Sequence, residues 1–127
     1  ASGETVAITD ATWRAQTFYT SPIADRTCLI ADGQSRDRSA CSTEAMSDGA
    51  GLSAAFWDIP EDWMQPGFDD SAWPAAVTYS NDTVGVNNKP AYTTFTEIFD
   101  APEADARFIW SSNLVLDNVV LLRTTFD

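Results

Sequence analysis

Asp58, Glu61 and Asp62 are the acidic residues whose spacing comes closest to chemistry, because Trp57 and Trp63 bracket them. Paired carboxylates beside indole rings are the equipment of glycoside hydrolysis: one protonates the leaving oxygen, the other attacks or activates water, and the aromatic face stacks on the sugar. In a chain of 127 residues with nineteen Asp and Glu such a pair arises cheaply, and a small domain seldom forms a deep cleft alone. The cluster is therefore expected to be a solvated acidic turn, and the chain to be non-catalytic. Trp57, Asp58 and Trp63, with Asn87 and Asn88 in a later loop, are the candidate ligand-binding residues. Indole faces and short polar side chains of this kind suit weak carbohydrate recognition.

The chain contains no histidine. That excludes Ser-His-Asp and Cys-His nucleophile systems and the usual Zn²⁺, Cu²⁺ and non-haem iron ligand sets. P-loop, dinucleotide and EF-hand spacings are missing as well. Ca²⁺ is the cation that the remaining donors fit, because its flexible oxygen shell accepts short carboxylates and loop carbonyls. Asp25, Asp32 and Asp37, with Asp48 further along a glycine-bearing stretch, are the expected ligands of a structural Ca²⁺, and Asp69 with Asp70 is an alternative place for it. Arg26, Arg36 and Arg38 lie among the first group and offer a competing reading as ion-pair partners.

Cys28 and Cys41 enclose twelve residues rich in Asp, Arg, Ser and Gly, too polar to order by burial alone. A disulfide between them stabilises such a loop by about 3 kcal/mol in the chain-entropy model and places the protein in an oxidising compartment. Asn81-Asp82-Thr83 is an N-glycosylation sequon in a predicted turn, which makes Asn81 a candidate glycan acceptor in a eukaryotic secretory host.

Seven basic against nineteen acidic residues give a formal net charge of −12. The average surface field repels phosphate backbones and anionic headgroups, so nucleic acid and membrane surfaces are not expected partners. No apolar run reaches the length of a bilayer span. Ala1-Ser2-Gly3-Glu4 lacks the features of a signal peptide, so export would require that one has been removed. A hydrophobic content of 44% with five Trp and seven Phe fits an ordered domain, and the length fits a single one over residues 1–127, burying roughly two thirds of the surface its unfolded chain exposes.

Short alternating runs and the lack of a long helical stripe point to many strands joined by turns. Expected strands are Thr5–Thr9, Trp13–Tyr19 (ended by Ser21-Pro22), Leu52–Trp57, Val77–Tyr79, Tyr92–Phe99 and Ala106–Ser111. Leu114–Leu116 and Val119–Leu122 flank Asp117-Asn118, which reads as a hairpin turn or a bulge. Residues 25–51 read as loop, with one helical turn over Ser42–Met46; Pro60–Trp63 reads as another, and Ser80–Asp82 as a turn. Trp13, Trp73 and Trp110 fall in strand or corner patterns and are expected in the core. About nine short strands at this spacing make a two-sheet antiparallel β-sandwich, or jelly roll, the expected all-β architecture, with long loops and short helical turns.

Between two of these strands lies Gly67-Phe68-Asp69-Asp70-Ser71-Ala72-Trp73-Pro74, in which two aromatics five apart bracket residues that favour caps and turns. Phe68 and Trp73 are placed to bury together while the short polar side chains accept backbone N–H groups. This elbow resembles the F-D-D-S-x-W corner of galactose-binding-like β-sandwich domains, and the run Ala106–Arg123 is more loosely similar to their consecutive core strands. The resemblance implies a scaffolding role for Phe68, Asp69, Ser71 and Trp73, with sugar taken by variable loops at one end of the sandwich. The resulting expectation is a secreted or cell-surface, non-catalytic carbohydrate-binding module. The alternative is a structural or adhesive subunit that contacts another extracellular protein through exposed aromatics and an unpaired edge strand.

Overall fold

The computed structural model describes residues 7–23, 26–42, 52–85 and 106–125. Among these the chain is all-β apart from single helical turns, and every strand pair is antiparallel. The strands are β1 (Arg14–Ile23), β2 (Ile30–Asp32), β3 (Ser35–Asp37), β4 (Ser53–Phe56), β5 (Val77–Tyr79), β6 (Phe108–Trp110) and β7 (Asp117–Arg123). A 3-10 turn, Arg26–Cys28, precedes β2, and a four-residue helical turn, α1 (Asn81–Val84), follows β5.

Strand β1 is the spine. It pairs with β7 along most of its length and with β4 through its second half, giving the order β4-β1-β7. Beyond the reach of β4 the same edge is taken by the segment that enters β5: Ala15 N–H donates to Pro74 O, Ala76 N–H to Trp13 O, and Arg14 bridges Ala75. The β5–β6 ribbon continues from there.

Three irregularities mark these strands, the first and third departing from the sequence expectation and the second settling between its two alternatives, each for a physical reason. The first strand does not end at Ser21-Pro22 but runs through it to Ile23. Thr20 pairs with Ala55 and Ile23 with Ser53, so Ser21 and Pro22 sit in a bulge where no ladder donor is required of proline; the Ser21–Pro22 bond is cis. Asp117-Asn118 takes the bulge alternative: Tyr19 faces Val119 while Thr20 faces Asp117, leaving Asn118 unpaired in the ladder, its Nδ2 donating to Ser21 O and Leu116 O. Residues 114–116 form a turn rather than a strand, held by Asn113 Oδ1, which accepts the N–H groups of Val115 and Leu116.

The stretch read as loop contains the β2–β3 hairpin, turned by Gly33-Gln34 with Gly33 at φ 59°, a backbone conformation that glycine adopts without penalty. The expected disulfide is present: Cys28 and Cys41 are bonded and clamp the base of this hairpin. Of the expected Thr5–Thr9 strand, residues 7–9 are described and form none, although Thr9 exchanges two hydrogen bonds with Arg107. In α1, Ser80 caps the turn, its Oγ accepting Thr83 N–H. The Ser42–Met46 turn beyond Ser42 and the Tyr92–Phe99 strand lie outside the described residues.

The core has two parts. Ile23, Cys41, Ala55 and Leu116 cluster, with Cys28, Leu29 and Trp57 packed against them. Next to this cluster runs a stack of rings and guanidinium groups. Arg36 lies 4.5 Å from the Trp57 ring and 4.8 Å from Phe18, Phe18 meets Trp73 edge-on at 5.6 Å, Trp73 meets Phe68 at 5.4 Å, and Arg123 closes the stack 5.0 Å from Phe68. Edge-to-face ring pairs add about 0.5–1.5 kcal/mol each beyond their buried area.

Candidate functional site

The elbow is packed, not open. Trp73 is 3% exposed, and Asp69 Oδ1 accepts Ser71 N–H while Asp70 O accepts Trp73 N–H. The Asp69 carboxyl is held below the usual carboxylate value of 3.8 by its hydrogen bonds from Ser71. Trp13 and Trp110 are half-buried, and each indole N–H is bonded, to Ile8 O and to Asp117 O.

Arg123 fastens the elbow to β7. Its Nε donates to Asp70 Oδ2 at 3.0 Å, Nη1 to Trp63 O and Nη2 to Phe68 O. In front of this clamp opens a cavity of about 280 Å³ lined by Thr12, Arg14, Asp70, Arg123, Thr124 and Thr125. Antiparallel pairing creates it: Arg14 and Arg123 are register partners at the end of the β1–β7 ladder, and the residues on either side of the ladder end supply the threonines. Every lining side chain is polar, with two guanidinium groups, one carboxylate and three hydroxyls. Such a set can both donate to and accept from a polyhydroxylated ligand. From sequence, Asp70 belongs to the elbow and, with Asp69, to an alternative Ca²⁺ site, and none of the other lining residues stands out. The missing signal was register, which brings residues 14 and 123 together across more than a hundred positions.

The residues singled out from sequence are placed differently. Trp57 is half-buried against the core with the Arg36 guanidinium over its ring, so one indole face is covered. Trp63 is half-buried and contributes its carbonyl to Arg123. Asp58, Glu61 and Asp62 are exposed on a run of turns. Asp32 sits at the tip of the β2–β3 hairpin and Asp37 at its base, opposite Ile30, so the hairpin separates them. Among the described residues no group of three or more Asp, Glu or Cys is arranged to hold a metal ion. Asn87, Asn88, Asp25 and Asp48 lie outside the described residues, as does the Asn81 side chain, although the Asn81 backbone opens α1.

The arginines of the hairpin face inward instead. Arg38 donates from Nε to Asp117 Oδ1 at 2.8 Å and from Nη2 to Oδ2 at 2.5 Å, and Asp117 also accepts the hydroxyls of Thr20 and Ser111. Arg36 donates to Thr17 O, while its Nε is buried and has no hydrogen-bond partner among the described residues. Burial first, and the neighbouring Arg38 charge second, push the Arg36 guanidinium down to about 10. Tyr79, donating to Ser111 O, is pushed up by burial and by the Asp117 charge.

No family model matches the chain, and neither the curated proteins nor the solved structures contain a match to it.

Proposed function

We propose that this chain is a non-catalytic carbohydrate-binding module of extracellular proteins, with the cavity between Arg14 and Arg123 as its sugar site. The observation that carries the reading is the all-polar lining: carboxylate, guanidinium and hydroxyl groups converge at one ladder end in a space that accommodates a monosaccharide ring. The disulfide, which persists in oxidising compartments, supports a secreted or cell-surface location. The elbow packed on β1 supports a galactose-binding-like two-sheet sandwich as the complete architecture. Titration with simple sugars by calorimetry, backed by a glycan array, tests the reading. Binding that is lost in Asp70→Asn or Thr125→Val upholds it, and silence across both assays overturns it.

A second reading, a structural or adhesive subunit, is favoured by one observation. Phe56, Tyr19 and Val119 are register partners across β4-β1-β7 and form an exposed apolar row, with Phe56 71% exposed. Within that three-stranded sheet β4 and β7 are the outer strands. Concentration-dependent association that is abolished by Phe56→Ser favours this reading over the first.

A further inference from the structure

We infer that the sugar taken by the Arg14–Arg123 cavity is acidic, a uronate, with Arg14 binding its carboxylate; this deepens the carbohydrate reading and depends on it. The chain has only seven basic residues, yet two of them face each other at this cavity. Their situations differ. Arg123 is neutralised by Asp70, its Nη1 and Nη2 each donate to a carbonyl, of Trp63 and of Phe68, and one face lies over the Phe68 ring. It is a fixed part of the wall.

Arg14 is half-buried, and among the described residues it makes one bond, from Nη1 to Trp73 O at 3.2 Å, and pairs with no carboxylate. A guanidinium carries five N–H donors in a planar fork that matches a carboxylate bidentately. Most of the Arg14 fork is therefore available to a ligand in the cavity. Asp10, the carboxylate closest in sequence, is tied into its own turn by the N–H and hydroxyl of Thr12. Asp70 gives Oδ2 to Arg123, and no bond to Oδ1 is found among the described residues. That oxygen and the Thr124 and Thr125 hydroxyls supply partners for ring hydroxyls. A net charge of −12 opposes anions at long range. A guanidinium that pairs with no carboxylate among the described residues is, at a polar cavity, a local exception to that field, and charge-assisted bidentate bonds are about twice as strong as neutral ones.

The test is calorimetric and NMR titration of the full chain with methyl glucuronide and methyl galacturonide against the corresponding neutral glucoside and galactoside. The acidic sugars are expected to bind at least about tenfold more tightly, moving the amide shifts of Thr12, Thr124 and Thr125. Arg14→Gln is expected to abolish the preference, acidic and neutral sugars then binding that variant equally, and Arg14→Lys to restore part of it. Neutral sugars binding as tightly as acidic ones, or a preference that survives Arg14→Gln, overturns the inference and leaves the carbohydrate reading standing; shifts confined to other regions overturn the inference and the cavity as the sugar site together. Should Arg14→Gln fail to fold, the wild-type affinity ratio and shift map decide alone. Failure of all four sugars to bind overturns the inference, and silence on the glycan array as well overturns the carbohydrate reading with it.

Discussion

Arg38 forks onto Asp117 with both carboxylate oxygens engaged, joining the β2–β3 hairpin to the first residue of β7 across 79 positions. The Asp117 side chain has no solvent exposure and also takes the Thr20 and Ser111 hydroxyls, so the charge is fully surrounded by donors. Removing one member strands the other. Breaking a buried pair in this way costs about 3–5 kcal/mol, whereas replacing both by apolar residues is often nearly neutral. Arg38→Met and Asp117→Leu are each expected to fall in that range by urea unfolding, with the double variant recovering part of the loss. Additive losses in the double variant would falsify the coupling.

The hairpin carrying Arg36 and Arg38 has few other anchors. Its β2 residues are all exposed, and its base is held by the Cys28–Cys41 bond. Cross-linking a loop of this length stabilises by about 3 kcal/mol in the chain-entropy model. Cys28→Ser/Cys41→Ser is expected to lower stability by about that amount and to change Trp57 fluorescence, because Arg36 is stacked on that ring. A stability loss without a fluorescence change means that the hairpin stays seated without its clamp.

The same hairpin marks where sequence reasoning ran out. Alternation and turn chemistry located β4 and β5, the core of β6, and the elbow, because in each the local residue pattern agrees with the fold. Residues 30–38 read as loop from their glycine and short polar side chains, and the two positions that face inward, 36 and 38, hold arginines. Only distant partners, Phe18, Thr17 and Asp117, make those positions interior. The candidate site was illegible for a related reason. Trp57 and Trp63 attract attention as aromatics beside carboxylates, yet one packs against a guanidinium and the other lends its carbonyl to a clamp. The polar cavity depends on the Arg14–Arg123 register, which no local signal specifies.

The elbow can be tested as scaffold. Trp73 touches Phe18 on β1 and Phe68 within the elbow, so truncating it empties the centre of the ring stack. Trp73→Ala is expected to cost about 3–5 kcal/mol, and Trp73→Phe less, since an aromatic of smaller volume preserves part of the packing. Thermal unfolding of both variants orders them. Equal stability of Trp73→Ala and wild type would mean that the stack carries no folding energy.

Three turns share one device and give the chain a common acid sensitivity. Asp10, Asp37 and Asp69 each accept the backbone N–H of the residue two positions on: Thr12, Ser39 and Ser71. Hydrogen bonds from the side chain and backbone of that residue hold each carboxyl below the usual 3.8. A group whose folded-state value is depressed adds stability that is fully present above its unfolded value and is lost as pH falls through the folded one. The window therefore lies below about pH 4. Asparagine keeps the accepting oxygen but does not titrate. The triple variant Asp10→Asn/Asp37→Asn/Asp69→Asn is thus expected to lose melting temperature less steeply than wild type between pH 5 and pH 2, both proteins being scanned at fixed ionic strength to hold the screening of the −12 charge constant. Parallel curves would place the acid sensitivity outside these three turns.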